Sequence, residues 1–157
     1  MMGGYAAAGG DFLIPSVTLG EDVKTISEGI RATGIEAAGY LSPFIVEPGS
    51  KLMLEHPDWL VQDQEGKPFN GIGQKKKRPD KQWYMLDGTH PEAQNYLRSA
   101  VRVMHDEWGW RYFKLDFLQY GALPGLQGTG NMSAGMRRSS FLGTGKTTLC
   151  GITTLMS

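Results

Sequence analysis

The clearest hydrophobic pattern in the chain lies between Thr89 and Gly109. Apolar side chains recur there with the three- and four-residue spacing of an amphipathic helix, at Ala93, Tyr96, Leu97, Ala100, Val101 and Met104. The segment Thr89-His90-Pro91-Glu92 has the form of a capping box with proline in the first turn. Gly109 is suited to end the helix. The pattern predicts one long helix between this cap and this glycine.

Apolar runs on both sides of that helix predict strands. Trp83-Tyr84-Met85-Leu86 precedes the helix and ends at Asp87, and Tyr112 to Leu118 follows it. A strand, a helix and a second strand in this order are typical of a βαβ unit with parallel strands. We therefore expect an α/β fold with these two strands in one parallel sheet.

Weaker patterns precede this unit. Thr18-Leu19-Gly20-Glu21 resembles a second capping box, and Val23, Ile26 and Ile30 would share one helix face, with Gly34 at the helix end. The apolar run from Ile35 to Val46 predicts a buried strand.

A long connection covers residues 47 to 80. Ser50 could cap a short helix that runs through His56, and Asp63 to Gly66 predicts a turn. The basic run Lys75-Lys76-Lys77-Arg78 has no interleaved aromatic residues, so a solvated loop is favoured over a nucleic-acid site.

Composition narrows the class of protein. The 157 residues contain 16 Lys and Arg against 16 Asp and Glu, so no basic excess attracts nucleic acid or an anionic membrane. The single cysteine, Cys150, excludes a disulfide framework within the chain. No apolar run approaches the about 18 residues of a membrane span, and residues 1 to 10 do not resemble a secretory signal. A cytoplasmic location is the expectation.

Alternation along the last strand separates polar from apolar side chains. One face carries Tyr112, Lys114 and Asp116, and the other carries Phe113, Leu115 and Phe117. The apolar face suits packing against helices, while the polar face would point into a barrel or cleft. A lysine two residues before an aspartate favours the ionised carboxylate, which a nucleophile or a cation stabiliser requires. A structural ion pair is the alternative interpretation, and spacing alone does not separate the two.

Other candidate groups favour structural roles. Asp87 precedes a helix start and is expected to organise the loop rather than to react. His56, His90 and His105 lack a metal-binding spacing. The segment from Gly143 to Thr148, which includes Lys146, resembles the end of a phosphate-binding loop, but Ser140 stands where that motif needs glycine.

A family resemblance joins these segments. The stretch from Tyr112 to Gly125 resembles the nucleophile strand of the melibiase-type α-galactosidases, glycoside hydrolase family 36. Tyr40 to Val46 resembles the third-strand region of that family, and Glu55-His56-Pro57-Asp58-Trp59 resembles the loop that follows it. Tyr84 to Asp87, with the Thr89-to-Glu92 segment, resembles the next strand and helix start. The likeness runs in order from roughly Gly4 to Gly125.

The resemblance implies a partial (β/α)8 TIM barrel and a retaining glycosidase that uses two carboxylates about 5 to 5.5 Å apart. Asp116 would be the nucleophile, and Lys114 would contact the sugar hydroxyls beside it. Tyr40 would stand where a tryptophan usually lines the sugar pocket, and Lys81 would lie near a basic or polar sugar-binding position. No cofactor and no metal are expected.

The chain also departs from the family pattern. Met2 and Gly3 stand where a pair of galactose-binding aspartates is expected, and Phe12 replaces a tryptophan. After Gly125 the sequence turns rich in Gly, Ser and Thr and shows no match for the acid/base aspartate. These departures predict an incomplete or frame-shifted product with a partial catalytic domain over residues 1–126 and a divergent, poorly ordered tail over 127–157. Such a chain would be inactive by itself.

Three alternatives stay open at the level of sequence. They are a galactosyl transferase of the same family, a non-catalytic carbohydrate-binding remnant, and a nucleotide-binding module acting through Lys146. The expected partners are α-galactoside sugars, with neither nucleic acid nor membrane. Self-association of a full-length enzyme is left undecided.

Overall fold

The computed structural model describes residues 5–71 and 82–122. The helices are α1 (Val23–Ala32), α2 (Lys51–Glu55) and α3 (Pro91–Asp106), and the strands are β1 (Ala38–Leu41), β2 (Ile45–Val46), β3 (Tyr84–Met85) and β4 (Tyr112–Leu115). Single 3-10 turns lie at Val17–Leu19, Pro57–Trp59 and Leu118–Ala122. None of the helices in these ranges is long and apolar enough to cross a membrane.

The parallel pair in the fold consists of β1 and β4. Their register runs from Ala38 opposite Tyr112 to Leu41 opposite Leu115, and the connection between the two strands includes α3. A parallel pair needs such a crossover, because its two strands begin at the same edge of the sheet. The parallel unit therefore exists, but its first strand is β1.

The prediction that Trp83–Leu86 and Tyr112–Leu118 belong to one parallel sheet was wrong. β3 pairs antiparallel with β2, with Met85 opposite Ile45. On its other side the Met85 carbonyl accepts a hydrogen bond of 2.8 Å from the Val61 N–H. The two edges of β3 are therefore hydrogen-bonded to β2 and to the segment at Val61. The β2–β3 pair forms a small sheet separate from β1–β4.

The predicted strand from Ile35 to Val46 is interrupted. Residues 42–44 form a turn in which the Ile45 N–H donates to the Ser42 carbonyl at 3.1 Å. Pro43 lacks a backbone donor and so cannot continue a ladder. At the other end, Ile35 is exposed by 64% and lies outside the strand. One hydrophobic run therefore supplies two strands of different sheets.

Both predicted capping boxes were wrong, although both glycine ends were right. Asp22 caps α1 by accepting the Thr25 N–H at 3.0 Å. In α3 the cap position is occupied by His90, whose side chain makes no capping bond. Thr89, the predicted cap, donates its N–H and its hydroxyl to Asp87 instead. Gly34 and Gly109 have φ values of 82° and 72°, in the left-handed region that favours glycine.

The core lies between α1, α3 and the parallel pair. The buried face of α3 is the predicted one, comprising Ala93, Leu97, Ala100, Val101 and Met104. Trp110 is fully buried, and its indole N–H donates to the Ser27 hydroxyl of α1 at 2.9 Å. Gly39 of β1 faces the same ring so closely that an added Cβ would lie 2.1 Å from it. This core holds β1 and β4 in register and thereby positions their carboxyl ends.

Two smaller predictions were confirmed. The Ser50 hydroxyl caps α2 by accepting the Met53 N–H at 3.2 Å, and the helix ends at Glu55 with His56 as its C-cap. The turn at Asp63 is closed by a 3.2 Å bond from the Gly66 N–H. The basic run at 75–78 and the proposed tail at 127–157 lie outside the described residues, so the division at residue 126 stays a prediction.

Candidate active site

Asp116 follows β4 directly and lies at the carboxyl end of the parallel pair. Its backbone N–H donates to the carbonyl of Leu41, the last residue of β1, at 2.8 Å. The carboxyl ends of parallel strands are where α/β proteins place their ligands. The two strands thus bring Asp116 beside the segment that follows β1.

Three donors surround the Asp116 carboxylate. The Phe117 N–H donates to Oδ1 at 2.9 Å, and the Tyr40 hydroxyl donates to Oδ2 at 3.1 Å. The Lys114 Nζ lies 3.3 Å from the same Oδ2 and 5.2 Å from the centre of the Tyr40 ring. The strand register explains the grouping, since Tyr40 and Lys114 stand opposite each other in the ladder. Sequence spacing placed Lys114 beside Asp116, and the fold adds Tyr40.

These donors keep the carboxylate ionised. The pKa of Asp116 is lowered, first by the Phe117 N–H, then by the Tyr40 hydroxyl and then by Lys114, against an opposing effect of burial. The sequence pointed to Lys114 as the reason for the ionised state. The structure ranks the backbone amide ahead of it, because both side chains of the ion pair are solvent-accessible, 53% for Lys114 and 37% for Asp116.

The backbone turns sharply just after the carboxylate. Phe117 has a φ of 56°, which an aromatic side chain rarely adopts. The strand ends at Leu115, so Phe117 does not continue the apolar face of Phe113 and Leu115 as the alternation predicted. Its ring instead lies edge-on to Trp83, with ring centres 5.3 Å apart. This turn aims the Phe117 N–H at the Asp116 carboxylate.

A pocket of about 330 Å³ adjoins this carboxylate. Tyr40, Ser42 and Phe117 line it on the side of Asp116, and Ser42 donates to the Tyr40 hydroxyl at 3.3 Å. Its other walls come from the segment Tyr5 to Gly9 and from Phe12, Ile45, Glu47 and Trp83. The volume falls near the lower end of the range for small-molecule sites.

Sequence reasoning missed several of these groups. Ser42, Glu47 and Trp83 lie on segments far apart in the chain, and no local spacing links them to Asp116. Phe12 was noted, and it is buried and stacks on Tyr96 with ring centres 6.0 Å apart. Lys81, Met2 and Gly3 lie outside the described residues, as does the segment Gly143 to Thr148.

The remaining candidates have structural surroundings. Asp87 is 2% exposed, and its Oδ1 accepts the Thr89 N–H and hydroxyl, in keeping with the predicted loop role. His56 stacks on Trp59 with ring centres 3.9 Å apart, and His105 Nδ1 lies 2.8 Å from the Asp106 carboxylate. Across 5–71 and 82–122, no three His, Cys, Asp or Glu side chains group as metal ligands would.

The fold and this site define the chain as an α/β protein with a hydrogen-bonded carboxylate at the end of a parallel strand. The melibiase family model matches residues 5–129, and the chain belongs to that family, whose members are α-galactosidase-type glycosidases. The resemblance of the sequence to this family is thereby confirmed.

Solved and curated relatives agree with this assignment. An α-galactosidase from Thermus thermophilus, solved in complex with p-nitrophenyl α-D-galactopyranoside, is 32% identical with a TM-score of 0.65, over 77% of this chain and 24% of that chain. An α-galactosidase from Lactobacillus brevis shares the fold at 22% identity and a TM-score of 0.58, over 70% and 14% of the two chains. The probable α-galactosidase C of Aspergillus flavus is 27% identical over 107 residues, which is 68% of this chain and 13% of that protein. The chain thus spans a small part of the length of these relatives.

Proposed function

We propose that this chain forms part of a (β/α)8 barrel and carries the nucleophile of an enzyme that acts on α-galactosides. The observation that carries the proposal is the Asp116 carboxylate, held ionised by three donors at the carboxyl end of β4. An ionised carboxylate in this place is what the first step of a retaining glycosidase requires. The α-galactoside bound by the Thermus thermophilus relative supports the choice of substrate.

The proposed reaction is a double displacement. One Asp116 oxygen attacks the anomeric carbon, a C–O bond to the enzyme forms, and the bond to the aglycone oxygen breaks with its electron pair leaving on that oxygen. A second carboxyl group protonates the leaving oxygen. Water then gives a proton to that second carboxylate and attacks the same carbon, the C–O bond to Asp116 breaks, and galactose leaves with retained configuration.

Two neighbours have proposed roles in this step. The Tyr40 hydroxyl orients Asp116 Oδ2, and its ring forms a wall of the pocket. Lys114 has three N–H donors, of which one faces Asp116 and the others suit sugar hydroxyls. Lys81 remains a further sugar-binding candidate from the resemblance alone.

Hydrolysis and galactosyl transfer share the glycosyl-enzyme intermediate, so both belong to this proposal. A non-catalytic carbohydrate-binding protein would form no such intermediate. Because the sequence carries no match for the acid/base aspartate, we expect residues 1–126 to act as a partial catalytic domain and the 157-residue chain to show no turnover by itself.

A fluorinated substrate can test the nucleophile without the acid partner. An α-galactosyl fluoride with a second fluorine at C5 loses fluoride without protonation, and its intermediate breaks down slowly. We expect mass spectrometry to find one fluorogalactosyl group on the purified chain, mapped to Asp116. The control Asp106→Asn, with a side chain 60% exposed near the end of α3, should label normally.

Asp116→Asn should abolish the label. A label that survives this substitution would refute Asp116 as the nucleophile, and the absence of any label on the unaltered chain would favour the non-catalytic alternative. Release of p-nitrophenol from an aryl α-galactoside, lost in Asp116→Ala, would show that the expectation of inactivity is wrong and that the site is right.

A further inference from the structure

A carboxylate lines the pocket beside Asp116, whose own carboxylate bonds to the pocket residues Tyr40 and Phe117. Glu47 follows β2, is partly buried, and lines the pocket together with Tyr40 and Ser42. Glu47 is carried by the small β2–β3 sheet, whereas Asp116 is carried by β4 of the parallel pair. Nothing in the strand pattern of the sequence marked it, because it stands in the connection after a hydrophobic run.

Glu47 is fixed from one side only. Its Oε2 accepts the Gly9 N–H at 2.8 Å, and its own N–H donates to the Gly9 carbonyl at 2.9 Å. A carboxylate can accept about four hydrogen bonds. Among the residues that the structure describes, Gly9 is the one donor to this carboxylate. Most of its accepting capacity is therefore open to a ligand or to water.

The close approach of Gly9 holds the side chain in place. A Cβ added at Gly9 would lie 3.0 Å from the Glu47 Cγ, so the glycine allows the backbone to pack directly against the carboxylate stem. Such packing restricts the side chain before any ligand arrives. A fixed acceptor loses less conformational entropy on binding than a mobile one.

Among the described residues that line the pocket, no other side chain carries a carboxylate. Ala6, Ala7 and Ala8 contribute small apolar side chains, and Trp83 and Phe117 contribute aromatic rings. The Tyr40 hydroxyl already donates to Asp116 and accepts from Ser42. A sugar hydroxyl that enters this wall would find its strongest acceptor at Glu47, because hydrogen bonds to charged groups are stronger than neutral ones.

We propose that Glu47 is a specificity-determining residue that accepts a hydrogen bond from one ring hydroxyl of the bound sugar. This inference rests on the proposed function, since it takes the sugar to be the ligand of the pocket that Tyr40, Ser42 and Glu47 line. In this proposal Glu47 recognises the sugar and takes no part in bond breaking. Its contribution should discriminate against sugars that lack the contacted hydroxyl.

The test combines one substitution with a series of sugars. Glu47→Gln keeps an oxygen for the Gly9 N–H and replaces the free acceptor by an amide donor. Binding of methyl α-galactoside and of its 2-, 3-, 4- and 6-deoxy analogues is measured by isothermal titration calorimetry on the 157-residue chain. The control Glu65→Gln removes a carboxylate that is 72% exposed and pairs with Lys67 on the turn after Asp63.

We expect Glu47→Gln to weaken binding of methyl α-galactoside by roughly tenfold or more, the size of a lost charged hydrogen bond. One deoxy analogue should bind the unaltered chain more weakly by a similar factor and should be insensitive to Glu47→Gln. Glu65→Gln should change neither value. Circular dichroism of the variants confirms that the fold is kept.

Two outcomes would overturn the inference alone. One is unchanged binding of methyl α-galactoside in Glu47→Gln. The other is an equal weakening by Glu47→Gln of the binding of all four deoxy analogues, which would assign Glu47 a purely structural role. For a variant with an altered fold, the more conservative Glu47→Asp must reproduce the same selective loss, or the inference fails. If the unaltered chain binds none of the sugars, the proposed function fails together with the inference.

Discussion

The Phe117 backbone N–H reaches the Asp116 carboxylate from the next residue in the chain, at 2.9 Å. It does so because Phe117 adopts a φ of 56°, a strained conformation for an aromatic residue. The contacts of its ring with Trp83 and Tyr120 help to hold that conformation. At the scale of the residue, ionisation of Asp116 thus depends on a backbone turn as well as on neighbouring side chains.

The contribution of each donor to the pKa of Asp116 can be measured. Tyr40→Phe and Lys114→Met should each raise the pKa of Asp116, because each removes a donor that favours the charged form. The double variant should still leave the pKa below about 3.9, the ordinary value for aspartate, since the Phe117 N–H remains. Titration of the Asp116 side-chain carboxyl carbon by NMR checks this.

The lowered pKa of Asp116 also determines how the stability of the fold depends on pH. A carboxyl whose pKa is lower in the folded state stabilises the fold above its unfolded pKa and loses that contribution as the pH falls through its folded pKa.

An ordinary pKa of Asp116 in either single variant, Tyr40→Phe or Lys114→Met, would show that the backbone amide contributes nothing. Asp22, whose pKa is lowered by its bonds with Thr25, serves as the internal control and should not respond.

At the scale of the element, the parallel pair depends on the absence of a side chain. Gly39 of β1 faces the Trp110 ring, and Trp110 is tied to α1 through Ser27. The Ser27 hydroxyl in turn donates to the Val23 carbonyl at 2.8 Å. This chain of contacts sets the spacing between α1 and β1, and so the position of Tyr40 one residue further along.

Gly39→Ala should therefore destabilise the chain. Its Cβ would lie 2.1 Å from the Trp110 ring, and overpacking of this kind typically costs about 1 to 3 kcal/mol. Urea unfolding followed by tryptophan fluorescence measures the change. The matched control is Gly29→Ala in α1, where an added Cβ meets nothing within 4 Å.

The control should stabilise the fold by about 0.5 to 1 kcal/mol, because alanine restricts the unfolded chain more than glycine does. Equal effects of the two substitutions would contradict the role assigned to Gly39. Weakened galactoside binding in Gly39→Ala under conditions where the fold is retained would link this packing to the site.

At the scale of the whole molecule, the described residues hold one parallel pair rather than a closed barrel. The chain spans 24% of its Thermus thermophilus relative and 13% of its Aspergillus relatives. Tyr112, on the strand that carries the site, is 65% exposed. The proposed barrel requires further strands beside β1 and β4, because an unpaired edge and an uncovered apolar face are both sites of association.

We expect residues 127–157 to contribute little to folding. Shortening the chain to residues 1–126 should leave the midpoint of urea unfolding unchanged, in agreement with a family match that ends at residue 129. Shortening it further, to end at Phe117, should lower the midpoint. That deletion removes the Leu118–Ala122 turn, where Gly121 packs so closely on Phe44 that an added Cβ would lie 2.7 Å from its ring. A lower midpoint for the 1–126 chain would refute the proposed boundary.

Local sequence determined the features that depend on near neighbours. The face of α3, the cap of α2 by Ser50 and the placement of Lys114 beside Asp116 all follow from periodicity or from groups within four residues of one another. Such contacts are set by backbone geometry once the element forms. The family resemblance added the chemistry of Asp116, and the family match confirmed the resemblance.

Only the tertiary structure decided which strands pair and what surrounds the carboxylate. The run from Ile35 to Val46 carried no signal for its division between two sheets, because partner choice depends on edges supplied by distant segments. Tyr40 and Glu47 line the pocket, and Asp116 bonds to Tyr40 from a strand more than half the described chain away. The contact between Tyr40 and Asp116 depends on the burial of Trp110 between α1 and the sheet. That burial is a property of the packed core and of no single segment.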